Sequence, residues 1–419
     1  MADTVPPRSL RASGLALARD PNFRRLWLAG AFGEGTRWLE VLAISIYVYE
    51  VTQSALVVTL VTFVRALPMV ALGAVTGALA ERAEPRRILL YGTIGMTAVS
   101  FVMALVTYAG AVEVWHLGVA GFLSGLLFST EFPVRRRLLG EFAGPERIGS
   151  AMGFDSVTRT ATRILGPLLG GALLQFVGLH GAFILAGAVY LVTVLLLVGV
   201  PPRPISIIAS AGSNFFSNLA EGLRYVRSNR PLLGFLAVTI IMNLWVFPYQ
   251  SMVPAIAQDV LNVKPFLVGI LFSVEGLGAM IGALLVATIE PRQHYLRLYV
   301  FGAAMATLAV VAFSLSDSYG LSLAICLVGG FGLAGFTTMQ ATLPFLLAPP
   351  EVRARVLGLV SVCIGIGPIG QLHLGFLSEW VGPPLATTIG AVEGLIALII
   401  AVIALVGRRL WDRRPLDPA

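Results

Sequence analysis

PERIGSAMGFDSVTRTATRILGPLLGGALLQ, residues 145–175, is the stretch from which the rest of the chain is read. It starts on the polar turn Pro145-Glu146-Arg147 and continues as a long run of apolar and small residues, expected to cross a bilayer over about 148–174. Inside that run Asp155, Arg159 and Arg163 stand at i, i+4 and i+8, on one helix face, where an acid and a base have the spacing to pair. At an offset of 205, Pro145, Glu146, Gly153, Ser156, Val157 and Gly170 recur as Pro350, Glu351, Gly358, Ser361, Val362 and Gly375. The three charges do not recur, because Val360, Ile364 and Pro368 take their places. Scaffold residues are duplicated while the charges belong to one copy.

Composition sets the environment of this duplicated scaffold. Of 419 residues, 57% are hydrophobic and 12% charged, with a mean hydropathy of +0.86, against about 25% charged in an ordinary soluble domain. A soluble multidomain enzyme and a disordered chain are both excluded. Apolar runs of membrane length predict twelve spans, roughly 26–49, 55–79, 87–108, 113–133, 148–174, 180–200, 232–256, 266–289, 297–315, 320–347, 355–378 and 385–407. Residues 1–25 show no apolar core ahead of a small-residue cleavage site, so no removable signal peptide is expected. Two cysteines, Cys326 and Cys363, are too few for a disulfide framework or a cysteine-rich metal site.

Of the 29 basic residues, 24 fall in the N-terminal segment, in every second loop and in the tail, and Lys264 alone faces the other side. That bias places both termini in the cytoplasm. It also accounts for the net charge of +7 without nucleic acid, leaving anionic headgroups of membrane lipids as the surface partner. The duplication implies an all-α membrane protein of twelve transmembrane helices in two pseudo-symmetric six-helix bundles. Residues 1–25 form a cytoplasmic segment, 26–200 the first bundle, 232–407 the second and 408–419 a cytoplasmic tail. Between the bundles, 201–231 reads as a linker whose Phe215, Phe216, Leu219 and Leu223 repeat at helical spacing, an amphipathic surface helix. Parallel repeats of this kind place a substrate path between the two halves, near the bilayer midplane.

Residues 77–87 read Gly77-Ala78-Leu79-Ala80-Glu81-Arg82-Ala83-Glu84-Pro85-Arg86-Arg87. They resemble the loop signature of the major facilitator superfamily, Gly-x-Leu-Ala-Asp-Arg-x-Gly-Arg-Arg, departing at Glu81, Glu84 and Pro85. Gly153, Gly166, Pro167, Gly170 and Gly171 match the superfamily's antiporter motif, with Thr162 in place of its second glycine. Pro21-Asn22-Phe23-Arg24-Arg25-Leu26-Trp27, with Thr52-Gln53-Ser54-Ala55, is similar to the enterobactin and macrolide exporter group. The resemblance covers nearly the whole chain and implies the superfamily's fold, a gating role for Gly77, Glu81, Arg82 and Arg86, and export by proton exchange.

Ionisable side chains within spans cost about 2.5 to 3.5 kcal/mol each on insertion scales, so they are kept for function or paired. The first half holds Glu34, Arg37, Glu40, Arg65, Glu131, Asp155, Arg159 and Arg163, four acids and four bases. The second half has only scattered equivalents, Glu275, Glu393 and His373. The asymmetry points to a coupling cluster, against the alternative of an ion network that fixes helix register. Glu34 is the first choice for proton carrier, near mid-span and at i, i+3 from Arg37; Asp155 is the second. Arg65, Arg159 and Arg163 either hold an anionic group of the substrate or serve as counter-ions. Asn243, Trp245, Tyr249 and Gln250 around Pro248, with Gln340, suit a mostly apolar binding pocket; for Trp245 and Tyr249, anchoring at the membrane interface is an equal alternative. No metal or cofactor motif and no nucleotide-binding loop occurs in a fitting context, which excludes an ATP-driven pump and an intramembrane hydrolase.

The expected protein is a monomeric, non-enzymatic secondary transporter of a bacterial cytoplasmic membrane, exchanging protons for a small amphipathic substrate. Two alternatives stay open: a lipid or lysophospholipid transporter of the same fold, and a receptor or assembly factor that retains the fold without flux.

Overall fold

The computed structural model describes residues 17–82, 84–202, 215–288 and 294–406, with side-chain surroundings for all of these except 70–82, 215–219 and 406. No strand occurs among them. Six helices form the first half: α1 (Pro21–Thr52), α2 (Ala55–Arg82), α3 (Pro85–Tyr108), α4 (Val114–Ala143), α5 (Ile148–Phe176) and α6 (Leu179–Val198). The linker helix α7 (Phe215–Ser228) precedes α8 (Arg230–Ile241), which continues as a π turn (Met242–Val246) and a 3-10 turn (Phe247–Ser251) into α9 (Val253–Asp259). Then follow α10 (Pro265–Val286), α11 (Tyr295–Ser314), α12 (Tyr319–Leu347), α13 (Pro350–Ile364), α14 (Gly367–Val381) and α15 (Pro383–Ala401).

A helix lies on each of the twelve expected spans. Among the described residues nine stretches are long and apolar enough to cross a membrane. Two of the spans outside that set, α1 and α5, carry buried charges, and the apolar part of α2 is described only as Ala55–Met69. Local chemistry sets several boundaries. Asp20 accepts from the N–H groups of Asn22 and Phe23 at 2.8 and 3.2 Å and so caps the start of α1. Gly178 and Gly382, with φ of 97° and 81°, make the turns from α5 into α6 and from α14 into α15, the same left-handed device in both repeats.

Two compact units result. Of the described residues, one holds those up to Ile44 and from Val64 to 202; the other holds Ser45–Phe63 with those from 215 onward. In the first, α3 packs along α6, and in the second α12 packs along both α10 and α11. The second unit therefore includes the hairpin that joins α1 to α2. Within it Tyr49 donates to Asp259, Ser54 to Glu379 at 2.6 Å, and Gly375 approaches Thr59 so closely that a Cβ would collide with it. The linker helix docks by an ion pair from Arg355 to Glu221 at 2.9 Å and by burial of Val226.

Candidate functional site

In the first unit the buried charges assemble on α1, α4 and α5. Glu34 is 3% exposed and its Oε2 accepts from Arg37 Nη2 at 2.8 Å and Nε at 3.2 Å, the i, i+3 pair expected from the sequence. Its other oxygen, Oε1, is buried and accepts no hydrogen bond among the described residues. Arg37 lies over the rings of Phe128 and Trp38, its guanidinium carbon 4.4 and 4.9 Å from their centroids, so its charge is shared between a carboxylate and two aromatic faces. One helical turn beyond Arg37, buried Glu40 accepts from Ser100 at 3.1 Å and Tyr190 at 3.4 Å. Arg65 on α2 keeps Nη2 buried, with no hydrogen-bond partner among the described residues.

Asp155 departs from the expected pattern. It does not pair with Arg159 along its own helix; it accepts from Arg135 Nη1 at 2.7 Å, with Arg136 Nε 3.4 Å from its other oxygen. Arg135, 3% exposed, also reaches Glu131 at 3.1 Å. The sequence reading ends the fourth span at 133 and assigns Arg135, Arg136 and Arg137 to a loop. Helix α4 instead continues through Pro133 to Ala143 and buries Arg135. Gly30 makes the room, because a Cβ there would strike the Arg135 guanidinium. The i, i+4 spacing from Glu131 to Arg135 is the sequence signal that points to this pair. With Asp155 so engaged, Arg159 is exposed over the Phe132 ring at 5.0 Å and Arg163 lies over Trp38 at 5.8 Å. A cavity of about 50 Å³, lined among others by Arg37, Ser124, Glu131, Arg135 and Tyr190, opens beside the network and has room for a few water molecules.

The antiporter-like residues perform packing tasks that geometry makes plain. A Cβ on Gly166 would meet Trp38 Cβ at 2.5 Å, and one on Gly170 the Leu39 carbonyl oxygen at 2.5 Å, so these two glycines seat α5 on the backbone of α1. Pro167 and Gly171 are buried beside them. Thr162, the departure from the motif, fits because Gly35 faces it. Gly153 is exposed with nothing within 4 Å of an added Cβ. Of the expected gating residues, the side chains of Gly77, Glu81 and Arg82 lie outside the described residues. Arg86 donates to the last carbonyls of α6, Leu197 and Val198, at 3.3 and 2.7 Å, where a cation is favoured.

In the second unit Glu275 and Glu393 are each joined to polar residues around Pro248. That proline has no N–H for the Leu244 carbonyl, and the helix widens into the π turn and then tightens. Gly370 fills the approach, since a Cβ on it would run into the Leu244 carbonyl and the Pro248 ring. Tyr249 donates to Glu275 at 2.7 Å with Gln250 at 3.5 Å, and Glu275 is 3% exposed. Trp245 donates to Glu393 at 3.0 Å, and Glu393 meets His373 at 2.9 Å. Asn243 turns back onto its own helix, bonding the Thr239 carbonyl at 2.8 Å. Gln340 keeps a buried Nε2 with no hydrogen-bond partner among the described residues. Of the five polar residues grouped by the sequence reading, Tyr249 and Gln250 thus share Glu275, while Trp245 and Asn243 take other partners.

Comparison with known proteins agrees with this architecture. The family described as transmembrane secretion effector, within the major facilitator superfamily, matches residues 12–416. Macrolide efflux protein A of Streptococcus pyogenes is 21% identical over 365 residues, 86% of this chain and 90% of that protein. The enterobactin exporter EntS of Escherichia coli O1:K1 / APEC is 25% identical over 408 residues, 95% of each chain. Among solved structures, a bacterial homolog to the human lysosomal transporter Spinster, inward-facing and unoccupied, superposes with a TM-score of 0.70 at 17% identity, over 96% of this chain and all of that one. That likeness is one of fold. A match across nearly the full length, on a helical membrane architecture with the glycine seats in place, makes this chain a member of the transmembrane secretion effector family of major facilitator superfamily transporters.

Proposed function

We propose that the protein exports a small amphipathic molecule in exchange for protons by alternating access, in a bacterial cytoplasmic membrane with both termini in the cytoplasm, and that Glu34 carries the proton. The observation behind this reading is the half-engaged carboxylate: one oxygen of Glu34 is fixed by Arg37 and the other is buried and free to accept a proton. Asp155 has no comparably open oxygen, since Arg135 holds one at 2.7 Å and Arg136 stands 3.4 Å from the other. Protonation of Glu34 leaves Arg37 without its counter-ion, and the guanidinium must find another anion or a new place on the aromatic faces. That is the local change that a rocking bundle amplifies. The relatives named as macrolide and enterobactin exporters support an amphipathic cargo.

The test is flux in proteoliposomes. Glu34→Gln is expected to lower transport driven by a proton gradient at least tenfold while substrate exchange without a gradient persists. Undiminished proton-driven transport removes Glu34 from the role.

A lysophospholipid cargo is the second reading, and a groove of about 610 Å³ between α11 and α12, lined by Phe301, Met305, Leu308, Ile325 and Val328, favours it. Lysophospholipid competing with drug-like ligands for saturable binding supports that reading, and failure to compete rejects it.

A further inference from the structure

The second unit contains a charged site that the coupling scheme above does not use. Trp245 stands on the π turn, and α15 fits against it through two glycines. A Cβ on Gly394 would lie 2.9 Å from Trp245 Cβ, and one on Gly390 4.0 Å from its carbonyl oxygen. So seated, the indole Nε1 donates to Glu393 Oε2 at 3.0 Å, and His373 Nε2 meets the same oxygen at 2.9 Å. Among the described residues no hydrogen bond reaches Oε1. Glu393 and His373 are 41% and 42% exposed near the middle of their helices, and Glu393 is the sole charge on α15. An exposed carboxylate at mid-span is costly against lipid, and it is stable where it faces water or a cation. An open carboxylate edge, bordered by an indole on an otherwise apolar helix, has the chemistry that recognises the positive end of a hydrophobic amine.

We propose that Glu393 is the receptor for a hydrophobic monocation and that His373 is its proton-operated competitor. This rests on the exporter reading and names a substrate class for it. With His373 neutral, the Glu393 carboxylate has no counter-ion in the pair and attracts the cation. With His373 protonated on both ring nitrogens, the imidazolium neutralises Glu393 and the cation leaves. One bound proton replaces one monocation, so the charge of this site is the same in both states. Histidine is the side chain suited to this, because its charge changes between about pH 5 and 8. The other titratable groups on the elements packed against α14 and α15 are otherwise engaged or lie at helix starts. Glu379 takes Ser54, Asp259 takes Tyr49, Tyr249 bonds Glu275, and Tyr299 bonds Thr239 and the Phe235 carbonyl. Arg230, Tyr295 and Arg297 occupy the first turns of α8 and α11.

The experiment is saturable binding of tetraphenylphosphonium, a permanent hydrophobic monocation, to the purified full chain by equilibrium dialysis. Competition by a proton on His373 predicts weaker binding at about pH 5.5 than at about pH 8. Glu393→Gln should weaken binding at least tenfold at both pH values, Glu393→Asp should restore most of it, and His373→Gln should bind equally at both. Thermal unfolding of each variant verifies that it is folded. No saturable binding to the unaltered protein, unchanged binding by folded Glu393→Gln, or a pH dependence that survives His373→Gln overturns the proposal. Dialysis involves no gradient, so these failures leave the exporter reading to the flux test on Glu34; absent flux with intact cation binding rejects the exporter reading instead.

Discussion

Helix α5 and its repeat, α13 with α14, descend from one pattern and reach different ends. The first is continuous from Ile148 to Phe176, with Asp155 buried in an ion network and Arg159 and Arg163 over aromatic rings. The second breaks between Ile364 and Gly367, and Pro368, in place of Arg163, leaves the Ile364 carbonyl without its helical donor. In the first unit Glu34, Glu131 and Asp155 take arginine partners, whereas in the second the backbone itself is interrupted, at Pro248 and before Pro368, and the donors Tyr249 and Trp245 reach Glu275 and Glu393. The two copies keep the same turns and glycine spacing, so the difference lies in what fills the scaffold. A duplicated bundle can place its charge chemistry in one half and its backbone irregularities in the other.

The largest effect should come from Arg135, which the repeat does not copy. Arg135→Ala removes the counter-ion that Asp155 and Glu131 share, and removing one partner of a buried pair costs about 3–5 kcal/mol. A drop in the thermal unfolding midpoint measured in detergent, much larger than that from any single charge change in the second unit, is the expected result. A midpoint near that of the unaltered protein would mean that the network is not what holds α4, α1 and α5 together.

Gly170 and Gly375 sharpen the comparison at equivalent positions. An added Cβ at Gly170 meets the Leu39 backbone, which cannot turn aside, while at Gly375 it meets the Thr59 side chain. Gly170→Ala is expected to lose about 1–3 kcal/mol as an overpacked contact, and Gly375→Ala less, because the threonine can change rotamer. Equal losses would argue that both seats are rigid.

The smallest effect is predicted at Gly153 and Gly358, where an added Cβ meets nothing within 4 Å in either copy. Alanine at these two positions should shift stability by no more than about 1 kcal/mol, in the favourable direction, through helix propensity. Loss of transport with stability intact in Gly153→Ala alone would separate the antiporter-like motif from packing and assign that glycine a part in the conformational cycle.

Much of this molecule is determined locally, and the sequence carries it. Span number, helical class, the duplication and the Glu34–Arg37 pair follow from hydropathy, an offset of 205 and i, i+3 spacing, all properties of short segments. Asp155 shows where that reading ends: its spacing offers Arg159, but the partner it takes is Arg135, twenty residues away, brought in because Gly30 opens a path for the guanidinium. Glu275 and Glu393 likewise gain meaning only when Pro248 interrupts its helix and turns Trp245 and Tyr249 toward them. Hydropathy and periodicity decide that a helix forms and which way it faces, since both act within one or two turns. Which buried charge meets which is decided by tertiary packing, because in a low-dielectric interior the nearest complementary group wins and nearness there is not a property of the sequence.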